Sequence, residues 1–150
     1  MPVPRADVVR CSNCATKNRV PADAAGVPKC AKCGAALPWV TEAGDDDYDE
    51  VVGKATLPVL VDLWADWCGP CRMVSPALEH LASQMAGQLK LVKVNVDDSP
   101  ALAQRFDARS IPTLLLVKRG IVVSRQVGAA PPHALRQWVD SSLSAPGGHG

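Results

Sequence analysis

Each of the six cysteines in this chain belongs to a pair with two residues between its members: Cys11/Cys14, Cys30/Cys33 and Cys68/Cys71. Such a pair supports two kinds of chemistry. Its thiols close and reopen a small disulfide, or its thiolates bind a metal ion. The surroundings decide between them. Cys68-Gly69-Pro70-Cys71 follows the apolar run Pro58–Ala65 and precedes a helical pattern that begins at Met73. A strand leading in and a helix leading out suit dithiol exchange. The N-terminus of the helix offers free N–H groups and a favourable dipole to a Cys68 thiolate. Pro70 fits the first turn, where an N–H has no intrahelical partner. Arg72 adds positive charge, and Cys71, one turn in, becomes the shielded, resolving thiol.

Exchange also needs a proton acceptor and a docking surface. Asp62 lies inside the apolar strand Val59–Ala65, where burial disfavours its charged form and raises its pKa. Lys93, in the run Leu91–Val96, is its expected charge partner. A solvent-facing Asp62 on an edge strand is the alternative. Ile111-Pro112-Thr113 stands before a further strand. A cis Pro112 would leave the backbone of Ile111 free for an extended substrate segment, whereas an ordinary Pro112 would only begin the strand.

The other two pairs sit in a segment with little to bury. Residues 1–44 carry six basic side chains against three acidic ones, with many Ala, Pro and Gly and few large apolar residues. Such a segment needs a staple. Fifteen residues separate Cys14 from Cys30, which is zinc-ribbon spacing. The expectation is one zinc ion per chain, held by Cys11, Cys14, Cys30 and Cys33, with binding supplying folding free energy. Gly34 suits the tight turn after the second pair, while Ala15 holds the matching place after the first. Two small disulfides, a rubredoxin-like iron site and a nucleic-acid-binding ribbon are the competing readings. Aromatic residues are too sparse for the last.

The remaining sequence supplies the elements that position these groups. Strands are expected over Val59–Ala65, Leu89–Val96, Thr113–Lys118 and Ile121–Val127, with helices over Met73–Ala86, Pro100–Phe106 and His133–Leu143. The acidic stretch of residues 41–50 reads as a linker or a helix start running on to Lys54. This order implies an α/β fold with a mixed central sheet flanked by helices. The expected division is a zinc-ribbon module over residues 1–40, an α/β domain over 41–143 and a disordered tail over 144–150. Trp64 and Trp138 read as core, Trp39 as a boundary residue that packs one module on the other or leaves them separate, and the histidines as surface. A net charge of +1 gives no case for a nucleic-acid or membrane partner. Neither a signal-peptide core nor a membrane-length apolar run is present in the sequence, so the cytoplasm is the expected compartment.

From about residue 45 to 143 the chain resembles the thioredoxin family. Val61–Cys71 is similar to that family's active-site strand and loop, Ser110–Leu115 to its cis-proline segment, and Val127-Gly128 to its substrate groove. With the cysteine-rich segment and Lys17–Pro21 included, the whole chain resembles the bacterial thioredoxin 2 branch. The resemblance implies a thioredoxin fold after a small zinc ribbon. It also implies a protein-disulfide reductase with Cys68 as nucleophile, Cys71 as resolving thiol and Asp62 assisting. Trp67, Gly69, Pro70, Ile111, cis Pro112, Gly128 and Lys93 would shape the site or bind substrate. Disulfide-containing proteins and thioredoxin reductase are the implied partners, with no organic cofactor and a monomeric state. A role in oxidative stress and redox-sensitive zinc thiolates are further implications. A binding or scaffold protein on the same fold is the functional alternative.

Overall fold

The structure, a computed structural model, describes residues 6–24 and 26–144. Of the tail expected to be disordered over 144–150, Ser144 instead ends a helix, and residues 145–150 lie outside the described residues. The seven strands and helices expected from the sequence become ten, since three short strands join them. β1 (Ala6–Arg10) and β2 (Lys17–Pro21) form an antiparallel ribbon. β3 (Val40–Glu42) leads into a helical turn, Asp49–Gly53. Then follow β4 (Val59–Trp64), α1 (Gly69–Gln84), β5 (Lys90–Asn95), α2 (Pro100–Arg105), β6 (Thr113–Lys118), β7 (Ile121–Val127) and α3 (Pro132–Ser144).

The main sheet has the order β3-β5-β4-β6-β7. β3, β5 and β4 run parallel, and β6 and β7 are antiparallel to their neighbours. β4 is the middle strand, which is why its residues read as a continuous apolar run. Alternation along it feeds two cores. Val59, Val61 and Leu63 pack with Val92, Val94, Leu115, Val51 and Leu102 on one face. On the other, Leu60 joins Leu91, Leu114, Leu78, Leu81 and Leu135 beneath α1 and α3. β6 and β7 meet at Arg119-Gly120, both with positive φ (50° and 80°), as a two-residue turn of this hand requires.

Two boundaries differ from expectation. α1 starts at Gly69, not Met73, because Gly69 and Pro70 are themselves its first turn. Residues 40–42 form an edge strand where a linker or helix start was expected. The acidic residues beyond it do local work. Asp47 accepts the Gly44 amide at 2.8 Å, and Asp45 caps α2 by accepting the amides of Ala101 and Leu102 at 3.1 and 2.9 Å.

The cysteine-rich segment is packed on the sheet. Leu37 and Trp39, both 1% exposed, fill its small core with Val9, Val20, Cys11 and Cys30. The Leu91 amide donates to the Trp39 carbonyl, and the Gly26 amide to Thr56 Oγ1 at 2.9 Å. Thr41 Oγ1 bonds Asp7. Lys90 is fully buried at this joint. Its ammonium donates to the carbonyls of Ala22 and Val51 at 2.5 and 2.7 Å and lies 4.1 Å from the centre of the Trp39 ring. Burial pulls its pKa down to about 8, against the opposing pull of Asp23 and Asp7.

Candidate functional site

Cys68 ends the loop after β4 in an extended conformation and caps α1, with its Sγ accepting the Cys71 amide at 3.1 Å. The two cysteines are joined as a disulfide, their Cα atoms 5.3 Å apart. Both are buried, at 4% and 3% exposure, so burial does not separate nucleophile from resolving thiol. Position does. Cys68 Sγ lies 3.6 Å from the Ile111 carbonyl, at the surface formed by the 111–112 segment, while Cys71 faces inward as a wall of a cavity. The Ile111–Pro112 peptide is cis. The Gly128 amide donates to the Pro112 carbonyl at 2.9 Å, with Gly128 at φ +92°.

Around the disulfide the surface is open and apolar. Trp67 is 68% exposed, anchored only by its Nε1 donating to Asp97 at 2.9 Å. Met73, two residues after Cys71, and Val127, next to Gly128, are exposed as well. A Cβ at Gly69 would meet nothing within 4 Å, so that position is clear on its outer side. Gly69 and Pro70 are both exposed, and the Arg72 guanidinium donates to the Asp66 carbonyl at 2.5 Å.

Behind the disulfide is a cavity of about 110 Å³, lined among others by Asp62, Trp64, Cys71, Ser75 and Lys93. Asp62 is 1% exposed and on the central strand, which settles the edge-strand alternative against it. Burial pushes its pKa up to about 6, with Lys93 pulling down and Glu79 pushing up. Lys93 is its neighbour across the parallel ladder. Its ammonium donates to Ser75 Oγ at 2.7 Å and lies 5.4 Å from the centre of the Trp64 ring. Neither Asp62 oxygen has a hydrogen-bond partner among the described residues. Trp64, expected as plain core, is a wall of this cavity. Neither Ser75 nor Asp97 is marked in the sequence. A hydroxyl on a helix and an aspartate in a turn carry no periodic signal.

The four remaining cysteines converge. Their sulfurs all lie within 4.8 Å of one another, with Cys11–Cys33 and Cys14–Cys30 each at 3.6 Å. Thiolates at about 2.3 Å around one tetrahedral ion sit ~3.8 Å apart, so these residues can bind a metal ion. The two knuckles repeat one geometry. The Cys11 and Cys30 carbonyls accept the Ala15 and Gly34 amides, and these two residues share positive φ, 65° and 80°. Asn18 ties the knuckles together, donating to the Thr16 carbonyl at 3.1 Å and accepting the Ala31 amide at 2.9 Å. The backbone N–H of Cys33 is the main reason the Cys30 thiol is held below its ordinary value.

Comparison with known proteins places these features. The thioredoxin family model matches residues 39–141. Thioredoxin of Haemophilus influenzae is 47% identical over 104 residues, 69% of this chain and 97% of that protein. Thioredoxin C-3 of Corynebacterium nephridii is 37% identical over 139 residues, 91% of this chain and 95% of that one. The second match therefore extends through the cysteine-rich segment.

Proposed function

The chain belongs to the thioredoxin family, whose members are protein-disulfide oxidoreductases acting on disulfide substrates with thioredoxin reductase, and on that premise we propose the following roles for its residues. Cys68, as thiolate, attacks one sulfur of a substrate disulfide. A mixed disulfide forms and the other substrate sulfur leaves as a thiolate. Cys71 gives up its proton to Asp62 and attacks Cys68 Sγ. The mixed disulfide breaks, the second substrate thiolate leaves, and Cys68–Cys71 closes. Two electrons pass to the substrate, and a reductase returns them. The observation that carries this assignment is the Cys68–Cys71 disulfide at the head of α1, against the Ile111 carbonyl, with an unpaired buried carboxyl across the cavity from Cys71.

Ile111, Pro112, Gly128 and Trp67 are the docking surface for an extended substrate segment, and Gly69 and Pro70 keep its approach clear. Lys93 sets the field at Asp62. Cys11, Cys14, Cys30 and Cys33 hold one zinc ion, which when bound supplies folding free energy to a segment with little core of its own. We divide the chain functionally at residue 40, with the ribbon before it and the reductase domain after it. A monomer in the cytoplasm fits the family. Among the described residues no helix is long and apolar enough to cross a membrane.

Insulin reduction by the full chain tests the dithiol roles. Cys68→Ser is expected to abolish turnover. Full activity in that variant would overturn the assignment.

A further inference from the structure

One contact in the site involves neither cysteine. The Lys93 ammonium borders the same cavity as Asp62, and the two residues are register partners across the parallel ladder. A half-buried ammonium and a buried carboxylate so placed attract each other. Yet Lys93 Nζ donates to Ser75 Oγ at 2.7 Å, and both Asp62 oxygens lack a hydrogen-bond partner among the described residues. Ser75 lies one turn after Cys71 on α1, so its hydroxyl borders the cavity between the thiol and the ammonium. A serine hydroxyl accepts through its lone pairs and keeps one proton to donate. We propose that Ser75 is a positioning residue of the dithiol site, whose hydroxyl holds the Lys93 ammonium off the Asp62 carboxylate and leaves Asp62 an unpaired acid facing the Cys71 thiol.

The groups that bear on Asp62 come from both sides of it. Lys93 projects from β5, and Cys71, Ser75 and Glu79 belong to α1. Arg72 and Asp66 border the same cavity. On β6 the register partner of Asp62 is the apolar Leu114. Lys93 is thus the one cation opposite Asp62 in the sheet, and its flexible stem allows it to change partner. Without the Ser75 hydroxyl, Asp62, the register partner of Lys93 with both oxygens unpaired, is left as an acceptor for the ammonium. Pairing would favour the carboxylate and make Asp62 a weaker holder of the Cys71 proton. The catalytic consequence rests on Asp62 as proton acceptor in the scheme above, whereas the contact itself does not.

The test is a pH titration of the Asp62 side-chain carboxyl by carbon-13 NMR in the full-length, metal-bound, oxidised chain. Wild type is compared with Ser75→Ala, Ser75→Thr, Lys93→Met and the Ser75→Ala/Lys93→Met double variant. Alanine is a strong helix former and Ser75 is only partly buried, so Ser75→Ala is expected to fold. Ser75→Ala should lower the Asp62 midpoint by about one pH unit, and Ser75→Thr, which keeps the hydroxyl, should leave it near wild type. In the Lys93→Met background, Ser75→Ala should shift nothing, because the hydroxyl acts through the ammonium. The acid limb of insulin reduction should move to lower pH with the midpoint. An unchanged or raised midpoint in Ser75→Ala, or an equal shift with and without Lys93, would overturn the proposal. The titration uses no substrate, so its failure is distinct from a failure of reductase activity.

Discussion

Asp62 is where one residue most clearly sets function against stability. The folded chain keeps its proton up to about pH 6 because the carboxyl is buried, while the unfolded chain releases it near pH 4. Between those values the folded state binds more protons, so raising the pH through this window favours unfolding. Two pH units correspond to roughly 3 kcal/mol. Asp62→Ala should therefore be more stable than wild type at pH 7, by about 1–3 kcal/mol once the lost packing is discounted. The difference should shrink as pH falls from 6 to 4. Urea unfolding of both proteins at a series of pH values measures it, and a constant difference would contradict the burial of an ionised Asp62. At this scale the sequence was informative wherever a residue broke a pattern. Asp62 interrupts an apolar run, and the cysteines repeat at a fixed interval. Ser75 and Asp97 break no pattern, and their roles depend on what other elements bring to them.

Among the elements, the two knuckles make the sharpest comparison. Gly34 and Ala15 occupy equivalent left-handed positions, φ 80° and 65°. A side chain with a Cβ is disfavoured there by about 1–2 kcal/mol, and Ala15 is exposed. Ala15→Gly should stabilise the chain by about 0.5–1 kcal/mol, the relief of strain being partly offset by the greater freedom of glycine when unfolded. Thermal unfolding of the metal-bound protein reads the effect, and a loss of stability would contradict the strain. The helices and long strands were legible because their apolar residues recur with the right period. β1 and β2 were not: β2 alternates buried and exposed residues, but one of its two buried positions is the polar Asn18. β3 was hidden for a different reason. It is three residues long, and its pairing with β5 is set by the main sheet and not by its own composition. Asp45 likewise reads as part of an acidic linker, yet it caps α2 more than fifty residues away.

In the whole molecule the two thiol centres lie toward opposite ends of β5. Lys90 begins that strand at the ribbon joint, and Asn95 ends it beside Trp64, five residues and about 17 Å away. The joint is a buried one. Ala22 lies in the core of the main sheet, and a Cβ at Gly87 would meet the Ala36 Cβ at 3.0 Å. Ribbon and domain should consequently unfold in one calorimetric transition, lowered in temperature but still single after the metal is chelated. Two resolved transitions in the metal-bound chain would contradict a shared core. Lys90→Met would leave the Ala22 and Val51 carbonyls unpaired, at about 1–3 kcal/mol each, and should lower that transition too. Packing through Trp39 was one of two arrangements the sequence allowed. Lys90 could not have been foreseen, because a lysine at a strand start reads as a surface residue. The separation of roles between the cysteines is tested most directly by mapping all six after reaction. The reduced, metal-bound chain is incubated with excess insulin, free thiols are alkylated under denaturing conditions, and disulfide-linked peptides are identified by mass spectrometry. A Cys68–Cys71 link with Cys11, Cys14, Cys30 and Cys33 all alkylated is the predicted result, and turnover that oxidises those four while Cys68 and Cys71 stay reduced would contradict it.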